Sequence, residues 1–110
     1  MSPSARDDYI LRQAQAIAQI LARIIGLRLE GEPEKARSGL EEAYTMLLGP
    51  QSALIRRVDA STAAKLIGSS EKTLSFAALI EEEAEQAEDD ARRATLQARA
   101  AELRRTVADA

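Results

Sequence analysis

The chain has 110 residues, 15 basic and 18 acidic for a formal net charge of −3, and neither cysteine nor histidine, which bounds one domain with a single core and no disulfide. Thiolate nucleophiles, Cys- or His-based metal centres and the usual neutral-pH general base are thereby excluded, so the chain is expected to be no enzyme and to need no cofactor or metal. An acidic balance gives no overall field for a polyanion, and two Tyr with one Phe give neither stacking platforms for bases nor an aromatic-lined pocket, which argues against nucleic acid and small-molecule substrates as partners.

Residues 1–6 lack the apolar core of a signal peptide, and charge interrupts every later apolar run, so no membrane span is expected and the setting reads as cytoplasmic. Ser4 and Asp7 have the spacing of a capping box, and Asp7 with Asp8 puts negative charge where a helix start favours it. A first helix is therefore predicted over 5–30. Within it Ile10, Ile17 and Ile24 recur every seven residues, as do Leu11, Ala18 and Ile25, with Ala14 and Leu21 between them; this is helical spacing. Tyr9, Ile20 and Leu27 widen the apolar arc to roughly 200° of the circumference, leaving Arg12, Gln15, Gln19 and Arg23 for water. An arc that wide wants neighbours on two sides. Arg28 falls on its buried part, where either its stem snorkels to the surface or its charge meets a carboxylate of a later helix.

Gly31 can adopt the left-handed conformation and Pro33 suits a first helical turn, so the chain reverses there into a second helix over 33–48. Ala36, Leu40, Ala43, Tyr44 and Leu47 are its inward face. Gly49 and Pro50 end it. Residues 51–68 read as one or two short helices, with Leu54, Ile55 and Val58 on the first, Ala63, Leu66 and Ile67 on the second, and Asp59 or Ser61 as the cap between them. Ser69 or Ser70 caps a helix over 70–87 that carries Leu74, Phe76, Ala77, Leu79 and Ile80 into an acidic run. The last helix, 89–108, sets an apolar stripe of Leu96, Ala100, Leu103 and Val107 beside an alanine stripe of Ala91, Ala94, Ala98 and Ala101 that would admit another helix closely. No Gly or Pro marks the junction near 87–90, so one continuous helix is the alternative.

Gly31, Ala36, Ala43, Leu48 and Pro50 have the spacing of the second half of a tetratricopeptide repeat, which the segment resembles. A shift of 55 residues lays Ala36 on Ala91, Ala43 on Ala98, and Leu21, Ile24 and Ile25 on Phe76, Leu79 and Ile80. The second unit has Gln86 in place of the turn glycine, and residues 51–68 separate the copies. The chain also resembles a family of small, all-helical bacterial proteins of unknown function. That likeness is carried by Asp8, Tyr9, Ile10 and Arg12, by Leu27, Glu30, Gly31 and Glu32, by Leu47, Leu48 and Gly49, and by Leu79, Ile80, Glu82, Glu83 and Ala84. It implies a fold and no activity.

The acidic run over 81–90 could hold a cation, but a solvated face with Glu88–Arg92 and Asp89–Arg93 pairs is the simpler expectation. Arg92, Arg93, Arg99, Arg104 and Arg105 suggest an anion surface, yet they point in several directions among acidic neighbours. A helix-turn-helix over 51–68 would have only Arg56, Arg57 and Lys65 for phosphates. Ser69, Ser70 and Lys72 serve as a helix cap rather than a Ser–Lys pair. The expected architecture is all-α, two antiparallel hairpins (5–30 with 33–48, and 70–87 with 89–108) bridged by a short helical insert. The expected function is a non-catalytic protein–protein interaction or scaffolding module, then a homo-oligomeric structural protein, then a ligand- or metal-binding helical domain. A homodimer is expected through Ile20 and Leu27, with Tyr9 on the same edge.

Overall fold

The computed structural model describes residues 5–109, so Ser4 of the expected capping box lies outside the described residues. Among them the chain is all-α, with no strand: α1 (Ala5–Leu29), α2 (Pro33–Leu48), a 3₁₀ turn (Gly49–Gln51), α3 (Ser52–Ile55), α4 (Ala60–Ile67), α5 (Ser70–Gln86) and α6 (Asp90–Ala108). The molecule measures 45 × 25 × 24 Å, its long dimension set by α1, about 37 Å at 1.5 Å per residue.

Each helix end has a chemical cause. Gly31 is left-handed at φ 78°, which lets Glu32 N–H reach the Leu27 carbonyl at 3.0 Å and Gly31 N–H the Arg28 carbonyl at 3.1 Å. These two bonds close α1 in a Schellman motif, and Pro33 starts α2 where its missing N–H costs nothing. Asp59 is the residue before α4, with an extended backbone and its carbonyl accepting from Ala63 N–H at 2.9 Å. Ser69 caps α5, its hydroxyl accepting from Lys72 N–H at 3.2 Å, and its carbonyl takes the buried Thr73 hydroxyl at 2.8 Å.

Side chains break the chain between α5 and α6. Asp89 accepts from the N–H groups of Ala91 and Arg92 at 3.3 Å each, while Arg93 donates to the Ala84 and Ala87 carbonyls at 3.3 and 2.7 Å. One residue covers the free donors of α6 and the other the free acceptors of α5, which is what two helix ends require. The junction is thus not one continuous helix. Nor do the expected Glu88–Arg92 and Asp89–Arg93 pairs form: Arg92 reaches Glu83, and Arg93 reaches Asp90.

α5 is the central element. It packs against α6, α1 and α2, and buries Phe76, Ala77, Leu79 and Ile80 in one cluster with Ile17 and Ile24 of α1, Leu40, Tyr44 and Leu47 of α2, and Leu103 of α6. α2 comes close to α1 at Gly39, where an added Cβ would lie 3.1 Å from Ile24 Cγ1, with Ala36 and Ala43 fully buried on the same helix.

Two sequence expectations fail on burial. Ile17 and Ile24 alone are fully buried on α1 among the described residues, because α2 and α5 cover it from one side and leave Leu11 and Ala18 exposed and Ile25 half-buried. The 55-residue repeat also does not carry over: Ala91 and Ala98 are exposed where Ala36 and Ala43 are buried. α6 lies against α4 and α5 through Leu96, Ala100 and Leu103, and its alanine stripe, Ala91, Ala94, Ala98 and Ala101, is exposed among the described residues.

Candidate functional site

Two surface features have built geometry, an open edge of α1 and an arginine-lined cleft on the opposite side of α5. The sequence placed an interface at Tyr9, Ile20 and Leu27. Tyr9 is indeed exposed, at 66%, but Ile20 and Leu27 are half-buried and pack onto the core. Gln13, on the same side of α1, donates to the Met46 carbonyl at 3.2 Å, so this is the flank that meets α2.

The free edge lies on another line of α1. Leu11, Gln15, Ala18, Ala22, Ile25 and Leu29 follow one another at steps of four, three, four, three and four residues, which puts them on one stripe. Leu11 is 52% and Leu29 74% exposed; Gln15, Ala18 and Ala22 are exposed, and Ile25 is half-buried. Sequence periodicity identified the apolar arc and mistook which flank its neighbours would cover.

On α5, Glu82 and Glu83 leave the acidic run about 100° apart, the first toward α1 and the second toward the cleft. Glu82 is buried (3% exposed) and takes a two-pronged contact from Arg28, Nε to Oε2 at 2.9 Å and Nη2 to Oε1 at 3.0 Å. Gln86 donates to the same carboxylate at 3.0 Å. This is the pairing of Arg28 with a carboxylate of a later helix, and its hydrogen bonding to Glu82 raises the Arg28 pKa above its ordinary value against the opposing effect of burial. The pair ties α1 to α5.

Glu83 turns to the cleft. Tyr44 Oη donates to its Oε1 at 2.7 Å, Arg92 Nη2 meets Oε2 at 2.6 Å, and Arg56 Nη2 lies 3.5 Å from Oε1. Arg56 also forks onto Glu41, at 2.7 and 3.2 Å, and its guanidinium lies 4.0 Å from the centre of the Tyr44 ring. Tyr44 meets Phe76 edge-on at 6.0 Å, and Arg99 sits 5.8 Å from the Phe76 ring centre while donating to the Ile55 carbonyl at 3.0 Å. Burial first, then the Glu83 charge, pushes the Tyr44 phenol far above its ordinary pKa. Burial acts against the Arg56 charge, but hydrogen bonding to Glu41 and the surrounding negative groups leave its pKa raised. The resulting space, about 600 Å³, is lined by Arg56, Arg57, Arg92 and Arg99 with Glu83 as its one carboxylate.

Glu81 pairs with Arg104 at 2.7 Å, and among the described residues no group of three acidic side chains stands together as a metal site. α3 is a single turn of four residues, too short for the first helix of a helix-turn-helix. Among the described residues no helix is long and apolar enough to cross a membrane.

No family model matches the chain, and neither the curated proteins nor the solved structures give a match. The resemblances drawn from short motifs therefore rest on the residues alone.

Proposed function

We propose that this chain is a non-catalytic helical interaction module whose first partner is a second copy of itself, joined along the open edge of α1. The observation that carries this is the stripe from Leu11 to Leu29, which presents the three-four spacing of a coiled-coil seam over about 27 Å, with Leu11, Gln15, Ala18, Ala22 and Leu29 exposed and Ile25 half-buried beside α5. The stripe also reads nearly the same in both directions: leucine at each end, alanine at both central positions. Laid antiparallel on itself, it sets Leu11 against Leu29 of the second copy and Ala18 against Ala22. Small residues at the middle let the two helices approach closely, and Arg12 and Glu30 on one flank become neighbours of opposite charge across the two-fold axis.

In this reading α1 with α2, and α5 with α6, are two helical hairpins, each closed by three residues between helices and bridged by α3 and α4. The first is tetratricopeptide-like in its glycine turn and buried Ala36 and Ala43; the second is not. Absence of cysteine suits a reducing, cytoplasmic setting.

Light-scattering mass tests it. The chain is expected at about twice its 11.9 kDa, and Ala18→Glu with Ile25→Glu is expected to halve that mass with the helical circular-dichroism spectrum kept. A wild-type mass of one chain up to about 0.1 mM, an affinity too weak for a working dimer, would overturn self-pairing. Retention of another protein by the wild type, lost in the same double variant, would then assign the edge to a different partner.

A further inference from the structure

We infer that the cleft between the α3–α4 connection and α6 is a binding site for a phosphate-type oxyanion carrying more than one negative charge. This is independent of the α1 edge, which lies on the other side of α5. Four arginines line the cleft, and three carboxylates act on them: Glu83 and Glu41 by ion pairs, and Asp59, whose pKa is lowered chiefly by Thr62 and in part by the Arg99 charge. The cleft lining itself carries four arginines against the one carboxylate of Glu83 in a chain whose total is −3, and a local excess of that kind concentrates anions whatever the overall balance.

The donors show what shape of anion fits. Arg56 is committed at both terminal nitrogens, to Glu41 and Glu83. Arg57 is exposed and no carboxylate or carbonyl of the described residues engages it. Arg92 is 60% exposed and uses one nitrogen, on Glu83; Arg99 uses one, on the Ile55 carbonyl. Three guanidinium groups with free N–H pairs thus approach one volume from two elements, while the Thr95 hydroxyl on the α6 wall is already spent on the Ala91 carbonyl at 3.0 Å. A planar carboxylate satisfies one such fork, and the three of citrate are held apart on a carbon chain, whereas a phosphate or diphosphate gathers oxygens enough for two or three forks within one compact group. Arg99 is also fixed in place by Phe76 and Ile55, and Arg92 by Glu83, so the ordering cost of closing on an anion is already partly met.

Titration calorimetry with sodium pyrophosphate, sodium phosphate, adenosine 5′-diphosphate and sodium citrate, at matched ionic strength and pH 7, decides it. Pyrophosphate is expected to bind with Kd below about 1 mM and to do so at least about tenfold more tightly than citrate. Arg57→Glu is expected to weaken pyrophosphate by about tenfold or more while leaving the thermal melt without anion unchanged. Arg105→Glu, an identical change of charge on an exposed residue outside the cleft lining, is expected to leave binding within about twofold. Tighter binding of adenosine 5′-diphosphate than pyrophosphate assigns the phosphates to a metabolite, and the reverse order to the free diphosphate; either upholds the site. No heat with pyrophosphate or the diphosphate ester overturns it. So does equal binding of citrate, or an equal loss in the Arg57 and Arg105 variants.

Discussion

Glu82 and Glu83 are consecutive residues of one helix, identical in chemistry, and they meet opposite fates. Glu82 enters the α1 side, where it is 3% exposed and held by one arginine and one amide. Glu83 enters the cleft, where it is 15% exposed and shared among a tyrosine and two arginines. A buried carboxylate with a single cation depends wholly on that cation, because losing it strands a charge away from water. One with several donors beside an open cleft can lose any of them and be rehydrated. The first arrangement fixes two helices together; the second leaves cationic groups with donors to spare.

Removing one partner on each side sharpens that contrast. Arg28→Met is expected to cost about 3 kcal/mol in urea denaturation, and adding Glu82→Met should return most of it, since an apolar pair of similar volume needs no solvation. Arg92→Ala on the cleft side is expected to cost less than about 1 kcal/mol, its charge being 60% exposed. Equal costs for the two would end the distinction.

A second comparison sets α2 against α6. Ala43→Leu is expected to destabilise by about 1–3 kcal/mol through overpacking, and Ala98→Leu, at the matching position of the failed repeat, by less than about 0.5. Similar losses would mean that something does cover the alanine stripe of α6.

A third test of the cleft side is at Tyr44. Losing its hydroxyl in Tyr44→Phe removes a charge-assisted bond that Glu83 can partly replace, at about 1 kcal/mol. The pH dependence is more telling. The Tyr44 pKa is raised by folding, so its contribution is complete below the unfolded-state value near 10 and declines as pH rises beyond that. Melting curves of the wild type should therefore fall from about pH 10 upward more steeply than those of Tyr44→Phe. Parallel curves would place the phenol in contact with water.

Much of this was legible in the sequence, and the failures share a cause. The helices, the glycine turn at Gly31, the Ser69 cap and the inward face of α2 follow from local spacing and capping chemistry, which act within a few residues. Arg28 on the buried side of its helix left two readings open, a snorkelling stem or a distant carboxylate, and the contact with Glu82 is the second. Side choice was illegible: an apolar arc on α1 does not say which flank α2 and α5 will cover, so Ile20 and Leu27 were assigned to a partner while Leu11, Ala22 and Leu29 stayed open. The cleft was hidden for a related reason. Arg56 and Arg57 lie in a short connection and Arg92 and Arg99 two turns apart on α6, and only the packing of α2 and α5 between them, through Tyr44 and Phe76, gathers them.

The most direct measurement uses the absence of native cysteine. Ala18→Cys and Ala22→Cys proteins, mixed and oxidised, should form a disulfide-linked pair of about twice the 11.9 kDa chain, more readily together than either alone, because antiparallel helices meeting at their small residues bring these positions within bonding distance. Ile20→Cys mixed with Leu27→Cys should stay single, since both pack on their own core. Efficient linkage through Ile20 and Leu27 with none through Ala18 and Ala22 would contradict the open edge of α1 as the contact surface.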